Sequence, residues 1–78
     1  MKTEIDIYTD IMMELAKAKN KFPSWPTTTV KAAAIVCEES GELIRAALHH
    51  EDEGGTLADC DEEAIQTAAM CIRFLMRG

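Results

Sequence analysis

Two prolines within four residues, Pro23 and Pro26, do most to limit what this chain can fold into. Proline lacks the backbone N–H that a helix needs and drives the residue before it toward extended geometry. Phe22-Pro23-Ser24-Trp25-Pro26 is therefore a stiff break. Phe22 and Trp25 are expected to pin it to the rest of the molecule. A second break, Asp52-Glu53-Gly54-Gly55, follows. Between and beside these breaks the apolar residues recur at spacings of three and four, the signature of amphipathic helices.

Three helices are predicted, over about 3–21, 28–50 and 57–77. In the first, Ile5, Tyr8, Met12 and Leu15 share a face with Ile11 and Ala18 beside them, and Thr3 can cap the start. The second opens on the cap hydroxyls of Thr27, Thr28 and Thr29. It carries a heptad-like seam of Val30, Ala34, Cys37, Gly41, Ile44 and Leu48, and small residues (Ala33, Gly41, Ala46, Ala47) would let a neighbouring backbone come close. Apolar residues so far around a helix place it at the centre of a bundle. The third starts at Thr56 or Asp59 and buries Ile65, Ala68, Ala69, Ile72, Leu75 and Met76. The reading is all-α: one three-helix domain spanning residues 1–78.

A chain of 78 residues with 47% hydrophobic residues has more apolar surface than one small core can hide. A core of this size rarely supplies more than about 3–5 kcal/mol without a staple. Cys37, Cys60 and Cys71 are odd in number and spaced neither for zinc nor for a disulfide ladder, so Cys37 and Cys71 read as small buried hydrophobes. That leaves self-association, a helical bundle completed by oligomerisation, as the expected remedy. No apolar run approaches the length of a membrane span. Glu4, Asp6 and Asp10 break up the only apolar N-terminal stretch, which argues against a signal peptide. A reducing cytoplasm is the expected compartment. A net charge of −6 argues against a coat for nucleic-acid polymers but leaves room for a small anion held by local cations.

Two polar constellations stand out. Glu38, Glu39 and Glu42 crowd one stretch of the second helix, either as a solvated acidic face, as partners for cations, or as oxygen ligands for Mg²⁺. Around the proline break, Lys21 and Lys31 flank Thr27 and Thr28 at a helix N-terminus, a natural anion site. Trp25 and Tyr8 offer flat apolar faces to a nucleobase. The plain alternative is a capped helix after a turn, with both aromatics in the core. His49 and His50 beside Glu51 read as a solvated helix end.

The string Glu38-Glu39-Ser40-Gly41-Glu42 resembles the metal-binding helix of MazG-like nucleotide pyrophosphohydrolases, whose signature is Glu-Glu-x-x-Glu followed by Glu-x-x-Asp on a later helix. Here the second half is Glu63-Ala64-Ile65-Gln66, with Gln66 where that family has Asp. An amide cannot act as a base and is a weaker ligand for Mg²⁺. Over residues 17–75 the chain is similar to the phage anti-CBASS cyclic-nucleotide sponges, a compact family of MazG-like fold. The similarity rests on Lys21-Phe22-Pro23-Ser24-Trp25-Pro26-Thr27 and on Glu63-Ala64-Ile65-Gln66 with the run from Thr67 to Leu75.

That resemblance implies a protein that holds cyclic dinucleotides such as 3′,3′-cGAMP, without cofactor and without cleavage, so that a phage in its bacterial host evades CBASS immunity. It implies dimers assembling into a hexamer with pockets between protomers. The implied dinucleotide contacts are Tyr8, a lysine (Lys21 or Lys31) and Thr27 or Thr28, next to Trp25 and Pro26. Arg73 is the implied candidate for a separate cyclic-trinucleotide site. The alternatives are an Mg²⁺-dependent pyrophosphohydrolase using Glu38, Glu39, Glu42 and Glu63, or a helical interaction module.

Overall fold

The computed structural model describes residues 1–78 and contains three helices and no strand: α1 (Glu4–Lys21), α2 (Thr29–Glu53) and α3 (Leu57–Met76). Each helix starts on a threonine whose hydroxyl accepts an otherwise orphaned backbone N–H. Thr3 accepts from Asp6, Thr28 from Lys31 and Thr56 from Asp59. At α1 the cap is reciprocal, because the Asp6 carboxylate accepts the Thr3 N–H at 3.1 Å. That bond, with the Thr3 hydroxyl, lowers the Asp6 pKa from its ordinary value.

The stops follow equally simple rules. The Phe22 N–H closes on Ala18 O at 2.8 Å, and Pro23 prevents another turn. α2 runs three residues past the predicted end at 50, through Glu51, Asp52 and Glu53, and halts at Gly54, whose φ of 78° is left-handed. The next glycine has a different role: a Cβ on Gly55 would lie 2.4 Å from the His49 ring. His50, expected to be solvated, is half-buried there and places Nδ1 2.6 Å from Gly55 O.

α3 is the central element. α1 and α2 each pack against it and make no close backbone approach to one another. The core joins Leu15 of α1 to Ala69 and Met70 of α3, with Ile11, Ala18, Trp25, Ile35, Val36 and Ile72 packed around them. It is small: five of 78 residues are buried.

Several expected burial positions lie outside it. α2 faces α3 through Ala32, Ile35, Val36, Leu43, Ala46 and Ala47, so the seam from Val30 to Leu48 turns outward. Val30, Ile44 and Leu48 are 80%, 60% and 55% exposed. The sequence offers two apolar stripes on α2, and within one chain α3 covers only one of them. Cys37 and Cys71 are exposed rather than buried, Cys37 because it lies on the outward seam. Leu75 and Met76 are exposed at the end of α3, and Ile5 and Tyr8 on α1. Of the two aromatics expected to pin the loop, Trp25 does so and Phe22 projects into solvent.

Candidate functional site

Because the backbones of α1 and α2 approach α3 closely but not each other, a groove opens between them with α3 as its floor. Its volume is about 710 Å³. α1 contributes Glu14, Lys17 and Lys21, which share one helical face at intervals of three and four. The proline break contributes Trp25 and Pro26, α2 contributes Glu38 and Glu39, and the floor holds Gln66, Met70 and Arg73. Chain direction sorts these by charge. Lys21, Trp25 and Arg73 gather at the loop end, whereas Glu14, Glu39 and Gln66 lie farther along. On α3 those ends are seven residues apart, about 10 Å of helix.

Arg73 is the unusual group. It is 2% exposed, the only buried charged residue in the molecule. Its Nε donates to Gly78 O at 3.1 Å, and its guanidinium stacks over the Trp25 ring, 4.7 Å from the centroid. The ion pairs of the molecule join Lys2 to Asp10, Arg45 to Glu42 and His49 to Glu53, and none involves Arg73. A guanidinium has five donors, and one is used here. No Asp or Glu side chain pairs with it, its acceptor is an oxygen of the last residue, and burying a charged group is costly even when it is partly paired. Stacking on an indole face offsets part of that cost, and an anion in the groove would offset more.

A smaller recess of about 270 Å³ opens on the other side of the same loop. Trp25 and Pro26 line it with Thr27, Thr28 and Thr29, facing Phe74 and Arg77 of the α3 terminus. The Thr28 hydroxyl oxygen is engaged in capping at 3.3 Å from Lys31 N, and its own proton remains free to donate. The structure thus gathers Lys21, Trp25, Pro26 and Arg73 at one recess and Trp25, Pro26, Thr27 and Thr28 at the next. Lys31 and Tyr8 line neither. Tyr8 is 63% exposed on α1. Sequence reasoning missed Glu14 as a groove residue. Its position three residues before Lys17 and seven before Lys21 was the available signal.

The acidic end is electrostatically crowded. Burial first, then the carboxylates of Glu63, Glu42, Glu14 and Glu38, push the Glu39 pKa upward. Burial, then Glu42, Glu62 and Asp59, do the same to Glu63, with Arg45 opposing. Crowding is not convergence: no three of these side chains come together closely enough to hold one metal ion. The four carboxylates of the Mg²⁺ alternative, Glu38, Glu39, Glu42 and Glu63, therefore do not form a ready cation cage in this arrangement. No helix is long and apolar enough to cross a membrane.

No family model, curated protein or solved structure matches the chain.

Proposed function

We propose that this chain binds anionic cyclic nucleotides and sequesters them intact: cyclic dinucleotides such as 3′,3′-cGAMP, and cyclic trinucleotides at a second site. On this reading it is a phage product acting in the host cytoplasm as a sponge for CBASS signals. The observation that carries the proposal is Arg73, buried, stacked on Trp25 and unpaired with any Asp or Glu side chain, at the edge of an open groove. A phosphate would engage the remaining guanidinium donors and matches their planar fork. Lys21 adds a mobile cation at the same end, and the free N–H groups at the start of α2 add a second phosphate locus beside Thr27 and Thr28. Tyr8 stands away from both recesses, so its contribution to a pocket requires a neighbouring protomer. Gln66 on the floor, in place of an acid, suits holding over cutting.

Calorimetry of the purified chain against a panel of cyclic di- and trinucleotides tests this directly. Binding with a dissociation constant in the micromolar range or tighter is expected. Arg73→Met, which keeps much of the side-chain volume, should weaken it at least about tenfold, since hydrogen bonds to charged groups contribute about 1.5–3 kcal/mol. Ligand released after proteolysis should be chemically unchanged. A panel with no binder at micromolar concentration would sink the proposal.

A second reading is favoured by the carboxylate crowding around Glu39 and Glu63. It is an Mg²⁺-dependent nucleotide pyrophosphohydrolase. Pyrophosphate release from nucleoside triphosphates, abolished in Glu39→Gln, would support it, and a flat trace at high protein concentration would remove it.

A further inference from the structure

The outer face of α2 carries features that nothing within the chain explains. Val30, Cys37 and Ile44 recur every seven residues, interleaved with Ala34, Gly41 and Leu48, and the three largest of these side chains are more than half exposed. Gly41 sits in mid-helix, outside the left-handed region, and a Cβ there would meet nothing within 4 Å. Mid-helix glycine is less favourable than alanine, and neither the backbone nor the packing of this chain requires it. A second helix crossing at that point does, because the missing Cβ lets two backbones close together.

The surface area indicates how much is left uncovered. Globular monomers of 8.6 kDa expose about 4,700 Å². This chain exposes 5794 Å², about 1,100 Å² more than that scaling gives. A partner in a stable complex of standard size buries about 800 Å². The surplus is enough for one such interface.

Charge sets the direction. Beside the stripe runs a column at the same seven-residue interval: Lys31, Glu38, Arg45 and Asp52, all exposed. In a parallel copy the two columns would lie on opposite edges of the contact and could not meet. An antiparallel copy, related by a twofold axis near Gly41, sets Lys31 against Asp52 and Glu38 against Arg45, and symmetry repeats both pairs. Within one or two residues of that register, Ala34 lies near Leu48 and Cys37 near Ile44, small beside large. Arg45 holds Glu42 at 3.0 Å in the single chain, but both side chains are solvent-exposed, so that pair is exchanged at little cost.

We infer that the outer face of α2 docks a second copy of this chain, antiparallel, crossing at Gly41 and held in register by Glu38–Arg45 and Lys31–Asp52 pairs. The inference does not depend on what the groove binds.

Sedimentation equilibrium on the full chain at micromolar concentrations tests it, with circular dichroism to report helix content. An assembly with an even number of chains is expected. Gly41→Leu should shift it toward the 8.6 kDa species while helicity is retained. Glu38→Arg and Arg45→Glu should each weaken association about tenfold, within the range for exposed pairs made twice by symmetry, and the double variant should restore it. A single-chain species at every concentration overturns the inference, as does an assembly that Gly41→Leu leaves intact. A double variant no better than either single change overturns the antiparallel register.

Discussion

α2 has two apolar faces of the same period, and they have different fates. The inner face, with Ala32, Ile35, Val36 and Leu43, packs on α3. The outer face, with Val30, Ala34, Cys37, Ile44 and Leu48, packs on nothing in the chain. Neither face is more hydrophobic in any obvious way. What separates them is company: the inner face lies opposite Ala69 and Met70, and the outer face lies beside a column of alternating charge. Apolar periodicity reports that a face is destined for burial. It does not report whether the covering surface belongs to the same chain.

The sharpest way to break this comparison uses two alanines two residues apart. Ala32 is 5% exposed and Ala34 is exposed. Ala32→Asp buries a charge among apolar neighbours and should cost about 3 kcal/mol or more, enough to unfold a chain with so small a core. Ala34→Asp should leave the helices intact in dilute solution and abolish self-association. Chemical denaturation and sedimentation read the two effects separately. Equal loss of helicity in both variants would erase the distinction between the faces.

Gly41→Ala should act in opposite directions on the two levels of structure. In the isolated chain the added methyl meets open space, so the helix gains up to about 1 kcal/mol. In an assembly crossing at Gly41 the same methyl separates the backbones and weakens association. A denaturation midpoint that rises at low protein concentration and falls at high concentration is the expected signature.

The smallest effect belongs to the inner face's one acid. The folded chain holds the Glu39 proton more tightly than the unfolded chain, because burial and neighbouring carboxylates raise its pKa. An ionised Glu39 therefore costs stability once pH climbs above its ordinary value of 4.5, and fully so above its raised folded value. Glu39→Gln should melt slightly above the parent at pH 7, and the gap should close as pH falls to 4.5 and below. A gap that persists in acid would place its cause outside this ionisation.

Much of the fold is legible from the sequence because its punctuation is local. Thr3, Thr28 and Thr56 cap, Pro23 breaks, and Gly54 takes the left-handed turn, each by chemistry confined to a few residues. The phase of α2 is not legible in that way. Ala33, Ala34, Ala46 and Ala47 spread apolar character around the helix, so no single stripe dominates and the heptad is the more conspicuous of the two. The cationic end of the groove could be read in part from Lys21, Trp25 and Pro26, which lie at the proline break, whereas the sequence placed Arg73 at a separate site. That Arg73 is buried could not, since it depends on Trp25 folding back over α3. The place of Glu14 depends on how α1 docks, which no local rule fixes.

That the backbones of α1 and α2 make no close approach has a mechanical consequence. The proline break joins α1 to α2 at one end of the groove only. At the loop end the chain itself ties the two walls together, and there the Arg73 guanidinium lies over the Trp25 ring. Toward Glu14 and Glu39 no such tie exists, and the width depends on how α1 and α2 each dock on α3. The cationic end is thus held by covalent connection as well as packing, and the acidic end by packing alone.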